Sequence, residues 1–410
     1  MKVAIITIGN ELISGDVVNT YAAEMAQALT EKGFEVTMLV SIPEDEREIA
    51  GALLRTPENI DVIMVTGGSS EIAVHSVAKA LGQGIPLDKE VRQTFQRNFF
   101  QDREEMSAEK EKLVNVPQNK EIPPALPNAS RGFFLRQSGK IYICLPGFSQ
   151  ERQILLKENV IPLLEKERNE KFVLKTRTFK IFNLTRKAIL DRLEGLNPKN
   201  FSASLNLFPS FPEQHIRVTT SGRYLEEVQE NIQGLENALR EKFLENIFGV
   251  DQETIEEIVG HLLRSSRSTL ATAESCTGGL VAHRLTNIAG SSEYFDRGIV
   301  AYSNRAKVKN LKIPKELLDN AGAVSAPVAE KMAEGIRQIS HATFGLGITG
   351  IAGPGGGSPE KPVGTVYIAL ASPQSTVTQK YQFAGDRQEI KTLTAHTAFD
   401  MIRRYFLKAN

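Results

Sequence analysis

Ser275 occupies a position at which a serine hydroxyl can act as a nucleophile. It lies in residues 270–279, LATAESCTGG, where an apolar segment runs into a pair of glycines and then into a helical pattern. A serine at such a strand-to-helix turn projects its hydroxyl, and free backbone N–H groups at the helix start can stabilise an oxyanion. Taken alone, the stretch also fits an ordinary helix cap at Ser275 or Thr277.

The elements around this turn must position the serine, and their pattern predicts an α/β domain. Asp251 is expected to cap the first helix, and Ser325 followed by Pro327 indicates another helix start. A final helix is expected from Gln388. Apolar runs and alternating segments between these helices predict further strands at 298–302, 343–349, 364–371 and 376–383.

The N-terminal part alternates strand and helix as well. Apolar runs at 3–8, 35–40 and 62–66 predict a βαβαβ unit with a parallel sheet. Ligand crevices in such sheets lie at the carboxyl ends of the strands, so residues 9–15 and 66–70 should share one rim. Beyond this unit we expect a charged helix at 101–112, a Pro-rich loop at 117–127, and a strand pair at 132–135 and 140–145.

A smaller module separates the two α/β parts. Its pattern predicts a βαββα order, in which strands at 172–182, 202–208 and 214–220 combine with helices at 186–193 and 225–243. No catalytic constellation falls within it, so we expect a spacer or an oligomer surface. The chain is thus divided into three parts, at 1–168, 169–249 and 250–410.

Composition excludes several classes of protein. Lys plus Arg and Asp plus Glu both total 49, which argues against nucleic acid or a membrane surface as the main partner. The two cysteines lie far apart, and the six histidines show no metal-ligand spacing, which fits a reducing cytosol and no zinc site. No apolar run reaches the length of a membrane span, so a cytoplasmic protein is expected.

Several ordered motifs stand in residues 253–410: 273–279 (AESCTGG), 302–304 (YSN), 322–325 (GAVS), 349–357 (TGIAGPGGG), 361–365 (KPVGT) and 385–387 (GDR). Together they resemble one known domain, the nicotinamide mononucleotide (NMN) amidohydrolase domain of the CinA (competence/damage-inducible) family. The resemblance implies hydrolysis of the carboxamide of NMN to nicotinic acid mononucleotide and ammonia.

The N-terminal part is similar to the other half of CinA, which has a molybdopterin-binding-like fold. Residues 8–12 (IGNEL), 18–20 (VNT) and 145–147 (LPG) carry this similarity, together with Gly15. The family associates the domain with metal-dependent ADP-ribose pyrophosphatase activity.

This chain departs from that pattern at 66–76, TGGSSEIAVHS. The stretch is shortened there and lacks the family's two aspartates. Because such cleavage needs carboxylates to hold a divalent ion against the phosphates, the departure gives little support for a metal at the N-terminal site. Glu71 is a weak substitute, and the N-terminal site is expected to be inactive.

The resemblance assigns the catalytic roles in the C-terminal domain. Amide hydrolysis needs a nucleophile, a base and a proton donor for the departing ammonia, and no histidine lies in the matching motifs. We assign Ser275 as nucleophile, Lys307 as general base and Tyr302 as proton relay or acid, in agreement with the family's serine–lysine type of site. Burial would allow Lys307 to lose its proton. Arg305 and Lys309 compete for the same role.

Residues for substrate binding are predicted in three places: the nucleophile turn, the glycine-rich loop and the start of the final helix. Glycines allow backbone N–H groups to approach an anion closely, and the loop has no Walker ending. Arg387 could hold the phosphate of NMN in a two-pronged contact. Glu274 could orient Lys307 or act as a carboxylate at the helix start. The predicted set is Thr277, Gly278, Thr349, Gly350, Gly353, Gly355, Gly356 and Arg387.

The predicted protein is therefore an α/β amidohydrolase with a degenerate molybdopterin-binding-like domain and a small α+β middle module. Its expected substrate is the small nucleotide NMN, with no organic cofactor or metal at the C-terminal site. We expect no nucleic-acid or membrane partner, and a homodimer. Two alternatives stay open, a bifunctional enzyme that also cleaves ADP-ribose and a non-catalytic nucleotide-binding protein associated with competence.

Overall fold

The computed structural model describes residues 1–68, 76–82, 120–121, 133–145, 153–168 and 173–409. Contacts divide the chain into two compact units. One comprises Met1–Lys175 with Ser221–Val228, and the other comprises Thr176–Thr220 with Gln229–Asn410. The described strands form sheets of six, four and five strands. Helices and strands are mixed throughout, which confirms the predicted α/β fold class.

The N-terminal sheet has the parallel core that the sequence predicts. Its order is β2-β1-β3-β6-β5-β4, in which β1 pairs in parallel with β2 and β3, and β3 with β6, while β5 and β4 are antiparallel. The elements are β1 (Lys2–Ile8), α1 (Asn10–Ile13), α2 (Thr20–Glu31), β2 (Glu35–Ile42), α3 (Glu46–Leu54), β3 (Val62–Gly67), β4 (Lys120–Glu121), β5 (Phe133–Gln137), β6 (Lys140–Leu145) and α4 (Ile161–Glu167).

The carboxyl ends of β1 and β3 approach closely at Gly67. A Cβ at this glycine, which has φ +95°, would lie 2.2 Å from the carbonyl oxygen of Ile8. Only glycine fits that contact. The predicted rim therefore starts where the two strands meet, although 69–70 lie outside the described residues, as do 101–112, 117–119, 122–127 and 146–147.

The middle module contains one strand more than the sequence predicts. Ile247–Val250 forms a fourth strand that pairs antiparallel with the first, with Val250 opposite Phe179. The sheet order is β10-β7-β9-β8. The elements are β7 (Val173–Ile181), α5 (Arg186–Leu193), β8 (Ala203–Ser210), β9 (Glu213–Gly222), α6 (Leu225–Phe243) and β10 (Ile247–Val250).

Asp251 does not cap the following helix, contrary to the prediction. The helix begins at Ile255, and Thr254 is its cap: its hydroxyl accepts from the Glu257 N–H, and the Glu257 carboxylate accepts from the Thr254 N–H. The Asp251 carboxylate instead accepts the N–H of Thr178 at 2.9 Å. The reciprocal Thr–Glu capping box outcompetes a carboxylate that lies too early in the chain.

The C-terminal domain is a five-stranded sheet between two layers of helices. Its order is β12-β11-β13-β14-β15, with β11 parallel to both neighbours and the last three strands antiparallel. Helices α7, α8 and α12 pack in one apolar cluster, and α9, α10 and α11 in another. The elements are α7 (Ile255–Ser265), β11 (Leu270–Glu274), α8 (Leu280–Thr286), β12 (Phe295–Val300), α9 (Asn304–Leu311), α10 (Lys315–Ala321), α11 (Ala326–Ser340), β13 (Phe344–Gly350), β14 (Thr365–Ala371), β15 (Thr376–Gln382) and α12 (Arg387–Ala409).

The strand register brings the site segments to one edge of this sheet. Glu274, the last residue of β11, lies between Val300 of β12 and Ile348 of β13. Because the three strands are parallel, the residues that follow each of them meet at the same rim. Ser275, Tyr302 and Thr349 therefore come from three strand ends that share this edge.

Candidate active site

Ser275 and Lys307 meet at the carboxyl end of β11. The backbone N–H of Ser275 donates to the Ile348 carbonyl at 3.0 Å, which fixes the serine against the central strand β13. Lys307 lies on α9, whose start is capped by the Ser303 hydroxyl. The Lys307 Nζ lies 3.1 Å from the Ser275 Oγ, and only 8% of the serine and 1% of the lysine are exposed. Nucleophile and base candidates are thus within hydrogen-bond distance.

The Lys307 amine has two further partners, both backbone carbonyls. Its Nζ donates to Ala301 at 2.9 Å and to Tyr302 at 3.3 Å. Burial lowers the pKa of Lys307 from its ordinary value, while the charge interaction with Cys276 raises it. A neutral amine has two hydrogens and one lone pair, so it can serve both carbonyls and still accept the Ser275 hydroxyl proton.

The two competing cations near Lys307 are placed differently. Arg305 and Lys309 are exposed, on the parts of α9 that face solvent. Neither is desolvated, and desolvation is what would make a basic side chain give up its proton at neutral pH. Among the three, the geometry therefore favours Lys307 as the base.

Glu274 acts as the carboxylate at the start of α8, one of the two roles that the sequence leaves open. Its Oε2 accepts the N–H groups of Gly279 at 2.9 Å and Val281 at 3.2 Å, and its Oε1 accepts that of Ala282 at 2.8 Å. The glutamate is 1% exposed, so these N–H groups hold a buried anion. It does not contact Lys307 in the described hydrogen bonds.

The oxyanion site expected at the helix start is therefore wrong, because Glu274 occupies those N–H groups. Two donors of the preceding turn take their place as candidates. Within the described chain, the N–H groups of Cys276 and Thr277 donate to no carbonyl oxygen. Cys276 follows Ser275 directly, the position from which the α/β-hydrolases supply one of their oxyanion donors.

Cys276 is adjacent to the serine but unsuited to replace it. The thiol is buried, and burial raises its pKa to about 12. A thiol in this state is protonated at neutral pH and a poor nucleophile. Thr277 is fully buried, and its hydroxyl has no hydrogen-bond partner in the described structure. Gly278 and Gly279 follow with φ of +64° and +94°, which allow the turn to reverse before α8.

Tyr302 and Arg387 are joined to each other and to the glycine-rich loop. The Arg387 Nη2 donates to the Tyr302 phenol at 3.0 Å, and its Nη1 donates to the Gly353 carbonyl at 2.6 Å. The tyrosine side chain is 60% exposed. Lys307 contacts the Tyr302 carbonyl, whereas within the described residues no hydrogen bond links the phenol to Lys307 or Ser275. The structure brings the phenol to Arg387.

The other predicted binding residues line the end of β13 and the loop after it. The Thr349 hydroxyl donates to the Ala323 carbonyl at 2.8 Å, so it ties β13 to the segment before α11. Gly350 is tightly packed, since a Cβ there would lie 2.9 Å from the Thr365 carbonyl oxygen. Around Gly355 there is open space, and Gly356 has φ +85°. These last two glycines are the ones that a ligand could approach.

One residue near the site carries no motif signal of its own. Lys391 lies one turn after Arg387 on α12, and its Nζ is 4.0 Å from the position that a Cβ would take at Gly278. Only the i, i+4 spacing of two cations at the start of the last helix could have indicated it.

Among the described residues, no group of three or more His, Cys, Asp or Glu side chains could hold a metal ion. No helix in that same part of the chain is long and apolar enough to cross a bilayer.

The fold and site define a protein with a molybdopterin-binding-type domain and a second α/β domain that carries a buried Ser–Lys pair. The chain belongs to the CinA family. Residues 252–406 match the CinA C-terminal domain, and residues 4–166 match the probable molybdopterin binding domain. The CinA-like protein of Geotalea uraniireducens is 37% identical over 99% of this chain and 98% of its own.

A second relative and a solved structure are also similar to this chain. The CinA-like protein of Geobacter sulfurreducens is 37% identical over the full length of both chains, each covered to 100%. The crystal structure of the competence/damage inducible protein CihA from Agrobacterium tumefaciens is 40% identical, covers 37% of this chain and 96% of its own, and has a TM-score of 0.36.

Proposed function

We propose that this protein hydrolyses the carboxamide of NMN to nicotinic acid mononucleotide and ammonia. The observation that carries the proposal is the 3.1 Å contact between Lys307 Nζ and Ser275 Oγ, with both groups buried at the rim of the sheet. A serine beside a desolvated lysine is an activated nucleophile. The resemblance to the NMN amidohydrolase domain of the CinA family supplies the substrate.

In the first half of the reaction, Ser275 Oγ attacks the carboxamide carbon while Lys307 takes the hydroxyl proton. The oxyanion that forms on the carboxamide oxygen accepts hydrogen bonds from the N–H groups of Cys276 and Thr277. The carbon–nitrogen bond then breaks, and the proton on Lys307 goes to the departing nitrogen, so that ammonia leaves and a Ser275 ester remains. The Tyr302 phenol is the alternative proton donor.

In the second half, a water attacks the ester and Lys307 takes one of its protons. The bond to Ser275 Oγ breaks, the proton on Lys307 returns to that oxygen, and the acid product leaves as a carboxylate after it loses its remaining proton to solvent. Both halves need Lys307 to alternate between amine and ammonium. The carbonyls of Ala301 and Tyr302 accept its hydrogens in either state, so the amine keeps its position through the cycle.

Ammonia release from NMN by the purified protein tests this proposal. Wild-type protein should release ammonia, and Ser275→Ala should lower kcat by about 10³-fold or more because the acyl acceptor is gone. Ser292→Ala, at an exposed serine of the same domain, is the matched control and should behave as wild type. Undiminished activity of Ser275→Ala would refute the mechanism, and NMN binding without turnover by wild-type protein would favour a non-catalytic role.

A further inference from the structure

Two cations lie on one face of α12 beside the nucleophile turn. Arg387 is the first residue of the helix and Lys391 is four residues later, so their side chains project on the same side. A Cβ built on Gly278 would have one atom within 4 Å among the described residues, apart from those of its two chain neighbours. That atom is the Lys391 Nζ, at 4.0 Å. The space next to this glycine is otherwise open, and a positive charge borders it.

The carboxylates nearest in sequence do not neutralise these cations. Asp386 and Glu389 form a reciprocal capping box, in which each carboxylate accepts the backbone N–H of the other, at 2.9 and 2.7 Å. In the part of the chain that is described, neither Lys391 nor Arg387 forms an ion pair, and Lys391 has no hydrogen-bond acceptor. An ammonium without a partner beside an open space is suited to bind an anion.

Arg387 is less available for that task. Both terminal nitrogens of its guanidinium are engaged, Nη1 by the Gly353 carbonyl and Nη2 by the Tyr302 phenol. These two bonds fix the guanidinium against the loop and the phenol, so a phosphate can reach only the N–H groups that they leave over. Among the residues that are described, Lys391 has no hydrogen bond to give up when it binds a phosphate.

We infer that Lys391 is the residue that binds the phosphate of the substrate, and that Arg387 instead holds Tyr302 against the glycine-rich loop. The inference rests on the proposed function for the identity of the nucleotide. The Lys391 ammonium beside Gly278 binds the phosphate end of the substrate, and Ser275, three residues before this glycine, reacts at the other end. Lys391 thereby selects the nucleotide over its nucleoside, because only the nucleotide carries the phosphate.

Steady-state kinetics with two substrates test this inference. Lys391→Met should raise the KM for NMN by about 10- to 100-fold, the effect expected for one charge-assisted hydrogen bond, and leave kcat within about threefold. It should not change kcat/KM for nicotinamide riboside, which lacks the phosphate. Lys391→Arg keeps the charge and should recover most of the lost affinity. Lys408→Met, at an exposed lysine of the same helix, is the control.

The outcomes distinguish a role of Lys391 in phosphate binding from a purely structural role. If Lys391→Met lowers kcat/KM for nucleotide and nucleoside equally, or for neither, the inference is wrong. If wild-type protein releases no ammonia from NMN, the proposed function fails, and calorimetric titration with inorganic phosphate decides on the anion site alone. Phosphate binding that weakens at least tenfold in Lys391→Met but not in Lys408→Met supports the site, and equal or absent binding overturns it.

Discussion

Lys307 donates to the Ser275 hydroxyl from a side chain that is almost entirely removed from solvent. Because burial disfavours the charged ammonium, the pKa of Lys307 lies below its ordinary value of 10.5. The same desolvation that makes the lysine costly to bury makes it a base. Lys307 can take the proton of the Ser275 hydroxyl only in its neutral form.

The first prediction concerns the pH dependence of activity. Since the neutral amine is the active form, kcat/KM should rise with pH through the lowered pKa of Lys307 and level off above it. Lys307→Arg keeps a cation that cannot be deprotonated in this range, so it should lower kcat by about 10²-fold or more at every pH. A pH series of ammonia release measures both. A flat profile, or substantial activity in Lys307→Arg, would contradict the assignment.

Most of the fold can be predicted from the sequence because the hydrophobic pattern is strong in the segments that form the core. Apolar runs separated by amphipathic segments predict the parallel sheet of the N-terminal part and an α/β C-terminal domain. Parallel strands bring their carboxyl ends to one rim whatever the details of the loops. The pairing of Ser275 with Lys307 is predicted only by the family resemblance. The four-residue strand β10 escaped prediction because Ile247–Val250 is too short for a periodic signal.

The partners of polar groups could not be predicted in the same way. Glu274 binds backbone N–H groups, which carry no residue-specific pattern, and its choice between Lys307 and the helix start depends on how the turn at Gly278 and Gly279 folds back. The same holds for Arg387, whose two acceptors are a carbonyl and a phenol from distant parts of the chain. Such contacts are set by tertiary structure.

The second prediction concerns the phenol of Tyr302. If it were the obligatory acid, Tyr302→Phe would lower kcat by about 10²-fold or more. We expect less than a tenfold loss, because Lys307 contacts the Tyr302 carbonyl, which phenylalanine retains, and the phenol contacts Arg387. Arg387→Gln breaks the same contact from the other side. Similar, KM-dominated losses in both variants would agree with a positioning role, whereas a large loss of kcat in Tyr302→Phe alone would establish acid catalysis.

The third prediction concerns the stability that Glu274 provides. Its carboxylate accepts three backbone N–H groups at the start of α8, and Glu274→Ala leaves them without this acceptor. We expect the free energy of unfolding to fall by about 3 kcal/mol or more, and by less in Glu274→Gln, which keeps one amide oxygen. Urea unfolding measures the change. Glu316→Ala, at an exposed glutamate in the first turn of α10, should stay within about 0.5 kcal/mol of wild type.

The last prediction concerns His396, a fully buried histidine on α12 that packs against the middle module. Its ring lies 4.3 Å from that of Phe182 and 5.3 Å from that of Phe248, centroid to centroid. Its Nδ1 is 3.8 Å from the Glu213 carboxylate, which already bonds His215 at 2.7 Å. Neither ring nitrogen has a hydrogen-bond partner within the described residues. The imidazole is thus enclosed in a largely apolar site.

Burial, the largest cause, and the nearby cations Arg284, Arg403 and Lys180 together lower the pKa of His396 from 6.5 to about 3. Between these two values the unfolded chain binds a proton that the folded chain excludes, so the free energy of unfolding rises with pH across this window. The stability is fully present above about pH 6.5 and is lost as pH falls toward 3, by at most about 1.4 kcal/mol per pH unit.

Replacing His396 by Leu removes the titrating group and should flatten that part of the stability profile. The expected result is a smaller difference in unfolding free energy between pH 7 and pH 5 in His396→Leu than in wild type, with His261→Gln, at an exposed histidine, unchanged. Urea unfolding at both pH values measures it. An identical pH dependence in wild type and His396→Leu would show that the imidazole is protonated in the folded protein, and that the site between α12 and the middle module admits its charge.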